Sequence, residues 1–252
     1  MKSPFPEGLD EQPLIRGLTG RYSIRKERTT SHRFSLFDTF DWRLFRRSLV
    51  LVASGNKMVL RKLQGRAILH SVEVSSPPVF SSDLPESDLK EKLTPIVTVR
   101  ALEKLAEVDT RSTTYRLLSR DGKIVARLVC EESRLAEDNE RPAFWTSFRL
   151  QPVRGAAGSF PTVRKRWEKD GSPRGKNGNI YREALKAAGR NPGDYSTKVT
   201  IPSDPHMRSE EAAKIILRFL LQVIRINEAH LAEDRDTEFL HDYRVAIRRT
   251  RS

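Results

Sequence analysis

An α+β fold is expected from three features of the chain. Gly55-Asn56 and Asp121-Gly122 each separate two apolar runs, the pattern of a tight turn between antiparallel strands. Further strand-like runs fill the first two thirds of the sequence. From His206 to the end, apolar residues recur at helical spacing.

The elements follow in order. Residues 21–28 alternate and read as a strand, and residues 34–37 as a short aromatic strand ending at Asp38. A short helix is expected over 42–47, with Asp41 as its cap. Residues 48–53 and 57–63 pair across Gly55-Asn56. The stretch 75–95 holds Pro77, Pro78, Pro85 and Pro95 and reads as a loop. A helix is expected over 99–107. Residues 113–118 and 123–129 form the second hairpin, and 145–153 another strand. The Gly-, Pro- and Asn-rich stretch 170–179 reads as a loop. A helix over 180–188 ends at Gly189, with Pro192 behind it. Pro202 and Pro205 then mark a change of character.

Two helices are expected beyond that point. Residues 212–226 are apolar except at Lys214, Arg218, Gln222 and Arg225, which share one face, so this helix is expected to be buried on most sides. Asp236 or Thr237 caps the second helix, whose apolar face is expected from Leu240, Tyr243 and Ile247.

The length of 252 residues fits one or two domains, and the 37% hydrophobic content is lean but sufficient for a core. The net charge of +13 points to a polyanionic partner: nucleic acid, anionic headgroups or a phosphate polymer. The excess is concentrated, nine charges over 16–62 and seven over 154–190, and the remainder is slightly acidic. A single cysteine, Cys130, excludes a disulfide framework and a thiolate zinc cluster, and fits a reducing compartment. The N-terminus lacks a signal-peptide core, and the longest apolar stretch, 215–226, is interrupted by charge and too short to span a bilayer. A cytoplasmic protein with no membrane partner is the expectation.

The functional signal lies in HDYRVAIRRTRS, residues 241–252. His241, Arg244, Arg248 and Arg251 are spaced by three, four and three, which aligns four cationic positions along one side of a helix. Arg249 sits beside the row. Such a row repels itself unless an anion lies between its members, and guanidinium forks suit phosphate oxygens. A solvated basic face is the plain alternative for any Arg-rich helix.

The string H-x-x-R-V-x-x-R-R-x-R resembles the opening motif of CHAD domains, helical modules that bind inorganic polyphosphate. The upstream block LFDTFDWRL, residues 36–44, the strand behind it and the hairpin over 111–129 are similar to the CYTH, or triphosphate-tunnel, domain often fused to CHAD. The resemblance implies a flexible stretch 1–13, an antiparallel tunnel-like β domain with peripheral helices over 14–202, and the first two helices of an incomplete CHAD bundle over 206–252. It further implies that the chain is a fragment or a truncated product, with Ile215, Phe219 and Leu220 left partly exposed.

The chain departs from the CYTH pattern where metal would bind. The family's Glu-x-Glu-x-Lys strand reads RYSIRKER here, and residues 144–155 hold no acid. Glu131 and Glu132 are adjacent and point to opposite faces of a strand. A hard cation needs several oxygen ligands. No metal, cofactor or catalytic residue is therefore expected, and the implied function is binding of polyphosphate or a similar polyanion by His241, Arg244, Arg248, Arg249 and Arg251. Lys26, Arg61, Lys62, Arg116 and Arg149 are further candidates for phosphate contacts in a tunnel, against the plainer reading of each as outward solubilising charge. Two alternatives stay open: a triphosphatase using magnesium or manganese, and a nucleic-acid binder in which Trp167 stacks on a base. The stretch 171–177 falls one residue short of a phosphate-cradling loop, and the histidines show no metal spacing.

Overall fold

A computed structural model describes residues 22–65, 67–137, 142–169, 178–200 and 206–251. The elements in chain order are β1 (Ser23–Thr39), a 3-10 turn (Phe45–Arg47), β2 (Leu49–Ser54), β3 (Lys57–Lys62), β4 (Ile68–Glu73), a 3-10 turn (Ser81–Asp83), α1 (Asp88–Val97), β5 (Leu102–Leu118), β6 (Ile124–Leu135), β7 (Trp145–Gln151), α2 (Phe160–Lys169), α3 (Ile180–Ala187), α4 (Ser209–Leu231) and α5 (Thr237–Thr250). The architecture is α+β. Seven strands follow the order β4-β3-β2-β1-β5-β6-β7, with antiparallel pairing in both hairpins. Five α-helices complete the described residues, and no helix among them is long and apolar enough to cross a membrane. The expected loop over 170–179 lies mostly outside the described residues, as do Arg21, Pro202 and Pro205.

The chain divides into two compact units. One takes residues up to 34 together with 106–188, and the other takes 35–105 with 189–252. In the first unit, alternate residues of β5, β6 and β7 point to one apolar layer. Tyr115, Leu117, Leu128 and Cys130 are buried there, with Val163 and Trp167 of α2 packed on them. Burial, reinforced by the nearby charges of Glu132 and Glu131, pushes the Cys130 thiol up to about 12. Asn179 caps α3 by accepting from the Tyr181 and Arg182 amides, at 2.8 and 3.3 Å.

In the second unit, Leu51, Met58 and Leu60 of the β2–β3 hairpin pack against Leu89, Leu93 and Val97 of α1. Helix α1 lies where the prolines suggested a loop. Ser87 caps it, accepting from the Lys90 amide at 3.3 Å, and Asp88 and Glu91 stand in its first turn. Its three core residues recur every fourth position, which outweighs the single hydrogen bond that Pro95 forfeits near the end. The helix expected over 99–107 is instead the start of β5. Leu102, Leu105 and Val108 are buried there, and ladder pairing such as Val108 with Leu135 overrides local helix propensity.

The turn after β1 also differs from expectation. Asp41 caps no helix, and only a 3-10 turn forms, because Trp42 takes a left-handed φ of 61°. Asp38 organises the segment instead. Its carboxylate accepts from the amides of Thr39, Leu44 and Phe45 at 2.7, 2.9 and 2.8 Å. Burial drives the Asp38 carboxyl up to about 6, with the three amide bonds opposing. A raised folded-state pKa favours folding fully below the unfolded value near 4 and loses that favour as pH rises through about 6. Wild type is therefore expected to lose on the order of 2–3 kcal/mol relative to Asp38→Asn between pH 4 and pH 7. Urea melts of the two proteins across that range check this; a constant difference would contradict it.

The C-terminal helices are helical as expected but differently faced. Helix α4 buries only Leu220, Val223 and Asn227 fully, while Leu217 and Leu221 stay 48% and 44% exposed. It is thus buried along one side, not most of them, and Leu220 is inside. On α5 the buried residues are Phe239 and Ala246, and Leu240 is 37% exposed. The inward face is turned by one residue from Leu240-Tyr243-Ile247, because Phe239 and the carboxylate of Asp242 both find partners inside.

Candidate functional site

The placement of α5 begins with Asp236. One of its oxygens accepts from the amides of Glu238 and Phe239, at 3.0 and 3.3 Å, as a cap should. The other accepts from the Ala101 amide at 3.0 Å. Arg100, 1% exposed, donates to Asp236 at 3.1 Å and to Asp242 at 2.6 Å, and its guanidinium lies 4.6 Å from the centre of the Phe239 ring. Burial alone would lower the Arg100 pKa, but Asp236, Asp41 and Asp242 outweigh it and hold it above the usual value. Tyr195 donates to Asp242 at 2.8 Å, and Asn227 of α4 donates to the same hydroxyl at 2.9 Å. Residues 236, 239 and 242 of one helix side are therefore fastened by a single buried cation.

That fastening decides what faces outward. At about 100° per residue, His241, Arg244, Arg248 and Arg251 fall within one arc directly opposite Phe239, Asp242 and Ala246. All four are exposed. Arg251 follows the last helical residue with a right-handed helical backbone, so the row is continuous over roughly 15 Å. Arg249 lies off the row, and its guanidinium donates to the Thr197 carbonyl at 3.2 Å. Among the described residues, no carboxylate forms an ion pair with His241, Arg244 or Arg251. Three guanidiniums and a histidine on one edge, with no carboxylate partner for His241, Arg244 or Arg251 among the described residues, make a surface suited to an extended anion.

Of the five tunnel candidates, Lys26, Arg116 and Arg149 belong to the first unit and Arg61 and Lys62 to the second. Arg116 and Arg149 share one face of the first unit's sheet, since Arg116 pairs with Arg127 and Val129 with Arg149 in register. Lys26 alternates with Glu27 and occupies the other face of β1. Arg61 and Lys62 are neighbours on β3 in the second unit, on opposite faces of that strand. On the face holding Arg116 and Arg149, two glutamates pair with three arginines. Glu27 accepts from Arg127 at 2.7 Å and Arg116 at 3.0 Å, and these bonds lower its carboxyl to about 2. Glu131 sits 3.5 Å from Arg149 and accepts from Ser147. Glu132 turns to the opposite face and is buried, as adjacent strand positions require. Among the described residues, no group of three His, Cys, Asp or Glu side chains could hold a metal ion.

Reading the sequence missed Arg127 and Arg100. The alternation Arg127-Val129-Glu131 places Arg127 on the polar face and could have found it. Arg100 carried one signal, a lone charge between Val99 and Ala101-Leu102, which helix periodicity disguised. No protein-family model matches the chain, and comparison with curated proteins finds no relative.

Proposed function

We propose that this protein binds inorganic polyphosphate, or a similar phosphate-rich polyanion, along the outer edge of α5. His241, Arg244, Arg248 and Arg251 contact the polymer, and Arg249 contributes from the side. In this reading residues 206–252 are the opening of a CHAD-like bundle and the β domain is a CYTH-like tunnel fold that does not catalyse metal-dependent hydrolysis. The single observation that carries the proposal is the exposed cationic row, set diametrically opposite the buried side of its helix. The balanced pairs Glu27–Arg127 and Glu131–Arg149 speak against the triphosphatase alternative, because the acids nearest a metal role are occupied by arginine.

The test is a titration of long-chain polyphosphate by fluorescence anisotropy at several salt concentrations. Affinity is expected to fall steeply with salt. Arg244→Ala/Arg248→Ala is expected to bind at least about tenfold more weakly, each exposed contact being worth less than a buried one. Equal affinity of variant and wild type overturns the proposal. DNA or RNA at equal phosphate concentration is expected to compete poorly; full competition would favour a nucleic-acid binder. Release of phosphate from tripolyphosphate with magnesium or manganese would favour the enzyme.

A further inference from the structure

The second unit holds a cavity of about 480 Å³ that no member of the cationic row lines. It forms where the 3-10 turn Ser81–Asp83, the C-terminal end of α1 and the start of α5 come together. A volume of this size suits a small organic ligand. Phe80 and Val99 supply apolar wall, and Val99 stays 52% exposed. Ser81, Ser82, Thr94, Thr98 and Thr237 bring hydroxyl-bearing side chains to the lining.

Two observations mark the cavity as built for an occupant. Ser81 is only 2% exposed, yet among the described residues its hydroxyl has no hydrogen-bond partner. A buried hydroxyl in that state asks for a partner from outside the chain. The backbone is also strained there. Four non-glycine residues among those described take a left-handed φ, and two of them, Thr98 at 53° and Asp234 at 48°, line this cavity. Threonine is β-branched and disfavours that region, and strain of this kind clusters where ligands are held. Arg43 keeps Thr98 in place, donating to its hydroxyl and, at 2.8 Å, to the Val97 carbonyl.

The chemistry of the wall selects the ligand class. Arg235, the one cation in the lining, already pairs with Glu103 at 3.0 Å and with Glu233. Asp236 is engaged by Arg100 and by the α5 cap. Asp234 is exposed and, among the described residues, forms no ion pair. A phosphate would meet a free carboxylate and no free cation, so this cavity is chemically opposite to the edge of α5. Hydroxyls donate and accept at once, and a carboxylate accepts. The matching ligand offers several hydroxyls of its own and a C–H face for Phe80 and Val99. We infer that the cavity binds a neutral saccharide of one or two rings, with Ser81 and Asp234 engaging its hydroxyls. The inference does not depend on polyphosphate binding.

The test is saturation-transfer NMR on the full chain with glucose, galactose, mannose, maltose and lactose as probes. Cyclohexanol and spermidine serve as comparisons. At least one sugar is expected to receive saturation at its ring protons and to bind at least about tenfold more tightly than either comparison. Ser81→Ala removes a hydroxyl that the fold does not use, so the unfolding midpoint is expected to hold while sugar affinity falls about five- to tenfold. Val99→Trp is expected to fill the cavity and abolish the signal while leaving polyphosphate affinity unchanged. Absence of saturation on every sugar, equal binding of cyclohexanol, or unchanged affinity in Ser81→Ala overturns the inference. So does tighter binding of spermidine, which would make this an amine site around Asp234.

Discussion

Arg100→Met is expected to cost about 3–5 kcal/mol of folding stability. The reason is what stays behind. Asp236 and Asp242 are 2% and 14% exposed, and without the guanidinium two carboxylates remain in a poorly solvated place with Asp41 close by. Methionine preserves much of the volume and a soft contact with the Phe239 ring, so the effect reports charge more than a cavity. Adding Asp242→Asn to Arg100→Met should restore part of the loss, because it removes one of the stranded charges. Urea denaturation followed by tryptophan fluorescence measures both. A loss below about 1 kcal/mol for the single variant would mean that water or neighbouring cations already neutralise the aspartates.

Reversing the outward cations, Arg244→Glu/Arg248→Glu, is expected to reduce polyphosphate affinity by at least about a hundredfold while leaving the unfolding midpoint nearly unchanged. Both side chains are exposed on α5, and surface substitutions shift folding stability little. Binding differs, because two attractive contacts become repulsive within a row that spans only a few turns. The slope of log affinity against log salt should flatten by roughly one for each phosphate that the variant no longer neutralises. Affinity and slope measured together separate a local row from a general positive field: the remaining charges would keep the slope steep if the whole surface were responsible.

Hairpins and helix ends were legible because their signals are local. Gly55-Asn56 and Asp121-Gly122 turn where expected, Asp236 caps where expected, and Gly189 stops α3 with a left-handed φ of 69°. The stretch 75–107 misled for a physical reason. Four prolines hid a helix whose cap and core spacing were present, and the residues after it paired into a ladder that no local preference announces. The orientation of α5 was half legible. The three-four-three spacing placed the cations on one side, but their outward direction follows from Arg100, more than a hundred residues earlier in the sequence. A contact at that distance leaves no periodic trace. The salt-bridged face of β5, β6 and β7 was legible only as scattered basic residues, since cross-strand register decides which of them meet.

Cys130, the only sulfhydryl in the chain, lies 1% exposed inside the first unit. A thiol so placed, and so reluctant to ionise, leaves the native molecule inert toward alkylating reagents and mild oxidants. The protein is consequently free of disulfide-linked artefacts during handling. It also has a built-in reporter, because iodoacetamide can mark that sulfur only when the surrounding strands part, and the marking rate measures how often they do.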